Sequence, residues 1–445
     1  MNFSKRFKNS VTPAFSECGK MVANANGSKV LVRDVNTLQL LQMWVCYDTV
    51  RDIVWSPDSN YLASVSGNKI QLWSMSDSAW RSCISETNGG VDSVTWSPDS
   101  RHLLVLHQFS VFITIWAVEF ATQMFVKNPK GSLYRFSGDG KYLAVIERME
   151  CNDYVAVLST RTWKLTSHFK LPTIDAAGFE WSPSNLELCI WDHMFDHRLY
   201  IYSLDGSCLF THEVKKPISM GLQCVAWSPC GQYIALGTHT HYLYLINRTN
   251  RKVAGEMLIP ESVSGRAVQF YREVHSAMSG NSVMERLQSP PEHKFQVVTD
   301  DHIDMKFAEI VIKKKTSTKT NDTAKEKRVK KYGITAIKWS HDSSHLAVLD
   351  ASNPNTITVW SIADKSITAV LQFVHNPRTF AWHPHLLRLI VASGDSSVSM
   401  WEYDGCWIIE LPAECSVNVN HTNWSSDGNA LLLSAKDNFC IGFLE

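Results

Sequence analysis

Seventeen histidines and eleven cysteines are the side chains of this 445-residue chain best suited to hold a metal or attack a substrate. A zinc site needs Cys or His in close pairs so that thiolates and imidazoles can close a tetrahedron. No Cys-x-x-Cys pair occurs, and Cys224 and Cys230, either side of Trp227, read as small buried apolar residues. His193 and His197 are four apart, a spacing that shares a face only on a helix, which the surrounding text does not support. His239 with His241, and His383 with His385, share a face if extended. His383 and His385 lie in a turn of the repeat set out below, which explains them without a metal. A His383→Ala change is therefore expected to be nearly silent. There is no phosphate-binding Gly-x-x-x-x-Gly-Lys loop, no Gly-x-Ser-x-Gly elbow and no His-Glu-x-x-His. Gly138 and Gly140 belong to a turn and lack the helix of a dinucleotide site. No catalytic residue, cofactor or metal is expected, and the chain reads as a non-enzyme.

Charge is the other resource. Lys and Arg number 43, as do Asp and Glu, so no global field draws in nucleic acid or an anionic membrane. Locally the balance breaks. Between 313 and 331 lie Lys313, Lys314, Lys315, Lys319, Lys325, Lys327, Arg328, Lys330 and Lys331, against Asp322 and Glu326. That run carries +7 and leaves −7 on the remainder. It reads as a solvated loop, as an electrostatic contact for an acidic partner, or as a nuclear-import-like patch. Ser289, before Pro290, has the form of a proline-directed phosphorylation site. The longest apolar-rich stretch, 109–121, contains Ser110, Thr114 and Glu119 and falls short of the ~18 clean residues a spanning helix needs. Residues 1–8 hold charge but no apolar signal core, so secretion is not expected. An odd cysteine count without paired spacing points to a reducing compartment, cytosol or nucleus.

The elements that carry these residues repeat. An aromatic residue followed by a short polar turn recurs at Phe15, Trp55, Trp96, Phe136, Trp181, Trp227, Trp339, Trp382 and Trp424, in steps of 40, 41, 40, 45, 46, 112, 43 and 42 residues. Ser-Pro-Asp-Gly and its variants suit a type I turn, with Pro setting φ and Gly closing it. An apolar run follows each turn, as in Leu103-Leu104-Val105-Leu106, and a third run ends near an aromatic residue: Trp73, Trp116, Tyr202, Trp360 and Trp401. Short Val-, Ile- and Leu-rich runs between turn residues are strands. A period near 40–45 with four strands per unit is that of WD-type β-propeller blades. The expected fold is all-β, one large closed ring of nine repeats, with two part-rings as the alternative. Anchors and third strands absorb eleven of the sixteen tryptophans, which makes them blade-packing residues.

Trp73, Trp116, Trp360 and Trp401 are followed by Ser74, Ala117, Ser361 and Glu402, and only Arg33-Asp34 keeps an Asp at that place. The buried polar network of a complete repeat signature is accordingly expected to be missing. The step of 112 marks an insert and divides the chain into 1–261, 262–332 and 333–445. Within the insert, Phe295-Gln296-Val297-Val298 and 303–312 are expected as strands packed on the ring. Phe3–Phe7 is expected to supply the missing outer strand of the last blade, removing an open edge.

Val32-Arg33-Asp34-Val35-Asn36-Thr37-Leu38-Gln39, Glu147-Arg148 with Asp153-Tyr154-Val155, Tyr202-Ser203-Leu204-Asp205-Gly206 and the terminal segments resemble centrosomal and spindle-pole WD-repeat proteins of the WRAP type. The resemblance runs over nearly the whole chain. It implies a non-enzymatic scaffold subunit of a complex that anchors microtubule minus ends, in the cytoplasm at centrosomes (microtubule-organising centres) and spindle poles. The partners it implies are a coiled-coil centriolar-satellite anchoring protein, microtubules and, in some lineages, a minus-end-directed kinesin, with a further role in cilium assembly. A scaffold of an RNA-processing or translation complex is the alternative.

Overall fold

The computed structural model describes residues 1–86, 89–119, 122–193, 198–213, 221–275, 293–300, 303–305 and 333–444. Among them the regular structure is β-strand apart from two single 3-10 turns, Gln108–Ser110 and Ala413–Cys415. The strands form nine antiparallel blades over residues 14–45, 52–85, 91–127, 129–170, 176–213, 222–258, 334–372, 379–410 and 421–443. They are called blades 1 to 9. Eight of them run in sequence order from a first strand outward, and first strands of successive blades lie close together around the middle.

Alternation along each strand explains the ring. A central strand such as Leu103-Leu104-Val105-Leu106 is buried on both faces, because a neighbouring blade covers each side. The apolar residues gather into nine clusters, each shared by two consecutive blades. The last joins Ala430, Leu432, Phe439 and Ile441 of blade 9 to Phe15, Val22 and Val35 of blade 1. The ring is thus closed with nine blades, and the two-part-ring alternative falls away.

The chain's first residues close it. Asn2–Phe3 and Phe7–Lys8 pair antiparallel with Asn438–Phe443, in the register Asn2 to Phe443 and Phe7 to Phe439. Ser4 and Ile441 exchange two bonds: the Ser4 N–H donates to the Ile441 carbonyl at 2.8 Å, and the Ile441 N–H donates to Ser4 Oγ at 2.9 Å. Phe7 stacks on Phe439 at 5.3 Å, and the Arg33 guanidinium lies over the Phe7 ring at 4.7 Å. Arg33 therefore ties blade 1 to the outer strand of blade 9.

The insert does more than project from the ring. Gln269–His275, for which the sequence shows no clear strand signal, pairs in parallel with the outer strand of blade 7, Ser366–Gln372. His293–Val298 adds to it antiparallel, giving blade 7 six strands. Ile303–Asp304 pairs with Ser262–Val263 as a separate two-residue ladder. The expected strand at 303–312 is described only at its start. Ser289 and the basic residues Lys313, Lys314, Lys315, Lys327, Arg328, Lys330 and Lys331 lie outside the described residues.

Candidate interaction surfaces

The anchors end the first strands. In each, the residue after the aromatic is Ser, or His383 in blade 8, and it organises the turn. Ser56 is typical: its Oγ donates to Asp58 at 2.6 Å and accepts the Tyr61 N–H at 2.8 Å. Gly19, Ser59, Ser100, Gly140, Asn185, Gly231, Ser343 and Gly428, each four residues past its anchor, have φ between 58° and 76°. Glycine takes that conformation freely, whereas Ser and Asn do so at a cost of order 1 kcal/mol. Here the polar residues offset it. Ser59 Oγ accepts the Cys18 N–H, Ser100 Oγ the Asp58 N–H and Ser343 Oγ the Cys230 N–H, each at 3.0 Å and each across to the preceding blade.

The anchor indoles add a second stitch. Trp55, Trp96, Trp181, Trp339 and Trp382 donate Nε1–H to the carbonyls of Ala14, Val54, Arg135, Ala226 and Lys338 at 2.9–3.1 Å. Each acceptor is the residue just before the anchor of the preceding blade. Trp227 and Trp424 lack such a bond among the described residues. Phe15, Trp55, Trp96, Trp227, Trp339 and Trp424 are buried, while Phe136, Trp181 and Trp382 are half-buried. Trp73, Tyr202, Trp360 and Trp401 are buried in third strands, and Trp116 is half-buried. All fourteen aromatic positions are thus packing and stitching residues within the ring, and none forms a shared exposed platform.

His383 behaves differently from expectation. It is 4% exposed, and its Nδ1 accepts the backbone N–H groups of His385 and Leu386, both at 3.0 Å. Its Nε2 donates to the Gly428 carbonyl at 3.1 Å, and its ring meets Trp424 edge-on at 4.7 Å. The imidazole replaces the serine of the other anchors and spans the blade 8–blade 9 junction. These contacts predict that its removal destabilises the junction, against the near-silent substitution expected from the sequence. The clue lay in the repeat itself, since every other anchor has Ser at that place.

Buried polar groups are present as well, displaced from the place where the signature would put them. The last residue of the second strand is buried and polar in six blades: Ser66, His107, Asp192, Thr238, Asp350 and Ser434. Asp192 accepts the N–H groups of Ile174, Asp175 and His193, fixing the link between blades 4 and 5. Asp350 receives His241 at 2.5 Å and the Ser352 N–H at 2.8 Å. In blade 4, fully buried Asp153 takes Arg148 at 2.7 Å, Lys130 at 3.2 Å and the Ala176 N–H at 2.6 Å. Burial pushes its pKa up, but the Ala176 N–H, Arg148 and Lys130 together outweigh that and hold it below the usual carboxylate value. Trp116 donates to buried Glu86 at 2.6 Å beside His107.

These groups serve the connections opposite the anchor turns, where the surface is polar and shallow. One depression of 490 Å³ lies among Ser10, Thr12, Arg51, Asn420, His421 and Lys436; another of 450 Å³ is lined by Arg6, Asn418 and Asp437. Among the described residues no three His, Cys, Asp or Glu side chains are grouped to hold a metal, and no helix is long and apolar enough to cross a membrane. The eleven cysteines are free, and burial drives Cys224 and Cys440 up to about 12, away from nucleophilic use.

Comparison with known proteins agrees with this architecture. The WD domain, G-beta repeat family model matches residues 39–74. WD repeat-containing protein WRAP73 of Mus musculus is 31% identical over 459 aligned residues, which cover 100% of this chain and 96% of that protein. An uncharacterized WD repeat-containing protein of Schizosaccharomyces pombe is 23% identical over 415 residues, 88% of this chain and 78% of its own length. Two solved structures are similar in fold alone, each at 11% identity. The C-terminal WD40 domain of Sif2 gives a TM-score of 0.51, covering 100% of this chain and 99% of that one. A eukaryotic initiation factor gives 0.57, covering 90% of each.

Proposed function

The chain belongs to the WD-repeat family, close to the WRAP type, and from that premise we propose that it is a non-enzymatic scaffold subunit of a complex anchoring microtubule minus ends at centrosomes and spindle poles. The observation that carries the proposal is the 31% identity to WRAP73 over the whole chain. The residues that carry the WRAP-type resemblance also do structural work: Arg33 clamps Phe7 at the ring closure and Asp153 anchors the blade 4–blade 5 link.

A rigid ring of nine blades offers two faces and a rim, and fold alone assigns no partner to any of them. In this proposal one partner is a coiled-coil centriolar-satellite anchoring protein. The chain bridges that protein to microtubule minus ends, in some lineages together with a minus-end-directed kinesin, and cilium assembly draws on the same complex. Purification of the tagged full chain from dividing cells, followed by mass spectrometry, tests this. Recovery of coiled-coil centrosomal proteins and tubulin supports it. An RNase-sensitive set of ribosomal or RNA-processing factors would replace it with the RNA-related scaffold.

A further inference from the structure

We propose that the outer strand of blade 1, Leu40–Val45, is a docking edge for an extended segment of a partner protein in which apolar residues alternate with acidic ones. Outer strands expose unpaired backbone groups, and proteins protect such edges with charge or by covering them. This ring does both. Arg81, Lys127, Lys170, Glu213, Glu256 and Glu410 are exposed on the outer strands of blades 2, 3, 4, 5, 6 and 8. Blade 9 is covered by the N-terminal strands and blade 7 by Gln269–His275. Leu-Leu-Gln-Met-Trp-Val, by contrast, carries no charge at all.

Its side chains point the wrong way for a protected edge. Trp44 turns into the blade 1–blade 2 core, while Leu41, Met43 and Val45 on the other face are 46%, 52% and 60% exposed. Tyr47 continues the row at 72%. No other outer strand among the described residues presents such a run, and a protein not using it would lose nothing by substituting lysine.

The surroundings specify the occupant. Lys29 is the cross-strand partner of Val45, and Lys69 sits over the Tyr47 ring at 4.7 Å. On the blade 9 side, residues 1–8 contribute Lys5, Arg6 and Lys8 and no acid. The nearby acids Asp34 and Asp48 accept the N–H groups of Thr37 and Thr49 and keep their charge, so five basic residues face two acidic ones. A second copy of the chain would bring lysines against lysines, whereas an acidic segment complements them. Blade 7 already shows the binding mode, since Gln269 to Arg272 add to Ala369 to Gln372 in parallel. Added strands of this kind take affinity from main-chain bonds and selectivity from alternate side chains.

This edge is independent of the cellular setting proposed above, so failure of one leaves the other standing. The test uses the full chain and a fluorescein-labelled ten-residue peptide alternating Val or Ile with Glu, read by anisotropy. Saturable binding is expected, weakened at least tenfold by Met43→Lys with Val45→Lys, and equally by N-methylation of the peptide's pairing amides. Lys29→Glu with Lys69→Glu should weaken the Glu peptide and favour a Lys counterpart; both residues are exposed, so that variant folds. Undiminished binding to the Met43/Val45 variant would refute the site, and undiminished binding of the N-methylated peptide would refute strand addition. A concentration-dependent dimer of the wild type, abolished by the same variant, would assign the edge to a second copy and overturn the proposal.

Discussion

His383→Ala is the sharpest test of how the turns hold the ring. The substitution removes the acceptor of two backbone N–H groups, at His385 and Leu386, and the donor to Gly428. An orphaned group in a buried setting costs roughly 1–3 kcal/mol, and the low end applies here because His385 and Leu386 are exposed and water can reach them. The lost edge-on contact with Trp424 adds about 1 kcal/mol. With the carbonyl of buried Gly428 orphaned as well, the expected destabilisation is about 4 kcal/mol, read from the shift of a urea unfolding curve. His383→Ser should recover part of it, because serine does this work in the other turns, and His385→Ala should cost less than about 1 kcal/mol. A His383→Ala protein within about 0.5 kcal/mol of wild type would refute the reasoning. The same ring gives a pH signature. Nδ1 accepts only while neutral, and burial lowers the pKa, partly opposed by the Gly428 carbonyl. The unfolded chain then binds the proton more readily. The stabilisation is complete above the unfolded value, about 6.5, and is lost as pH falls through it toward the folded value. His107, His212 and His345 are lowered by burial too and act in the same direction.

Trp96→Ala should cost roughly 3–5 kcal/mol as a core truncation, since its indole is buried and bonded to Val54; a change under about 1 kcal/mol by denaturant titration would contradict that role. Deleting residues 1–8 should lower the melting temperature and promote association, because Phe7 leaves the closure and the Asn438–Phe443 edge opens. A soluble monomer with an unchanged melting temperature would exclude the closure as a source of stability. Replacing Lys313, Lys314, Lys315, Lys327, Arg328, Lys330 and Lys331 by Gln should weaken microtubule co-sedimentation at low salt. That contact should fade within a few hundred millimolar, as the Debye length shrinks from ~10 Å at 0.1 M toward ~3 Å at 1 M. Equal pelleting of both proteins would return the run to a solvated loop.

The blades were legible because their signals are local. Trp, Ser, Pro, Asp and Gly sit within five residues, and the turn they form sets the phase of the strands on either side. The closing strand was legible because the last blade lacked one partner and the first residues held two phenylalanines. Gln269–His275 was not, since Arg272 and Glu273 interrupt its apolar run and the ring strand it joins begins about a hundred residues later. Register against so distant a strand leaves no trace in a local pattern. The third-strand Trp residues lack the following Asp and so predict no polar network, whereas the structure holds buried polar groups at the end of the second strand, in residues as unlike as His107, Asp192 and Thr238. Shared position unites them there, which residue type alone does not reveal. The blade 1 edge needed the structure: only the neighbouring blades show that the face carrying Leu41, Met43 and Val45 is left uncovered.

Anchorage itself remains the measurement nearest the proposed function. Cells depleted of this chain and re-supplied with the tagged wild type should be imaged through mitosis, with minus ends and pole centres marked in separate colours. The account predicts tagged protein at the poles, minus ends displaced from the pole centre on depletion, and recovery on re-supply. Tagged protein absent from the poles, with minus ends seated normally after depletion, would contradict it.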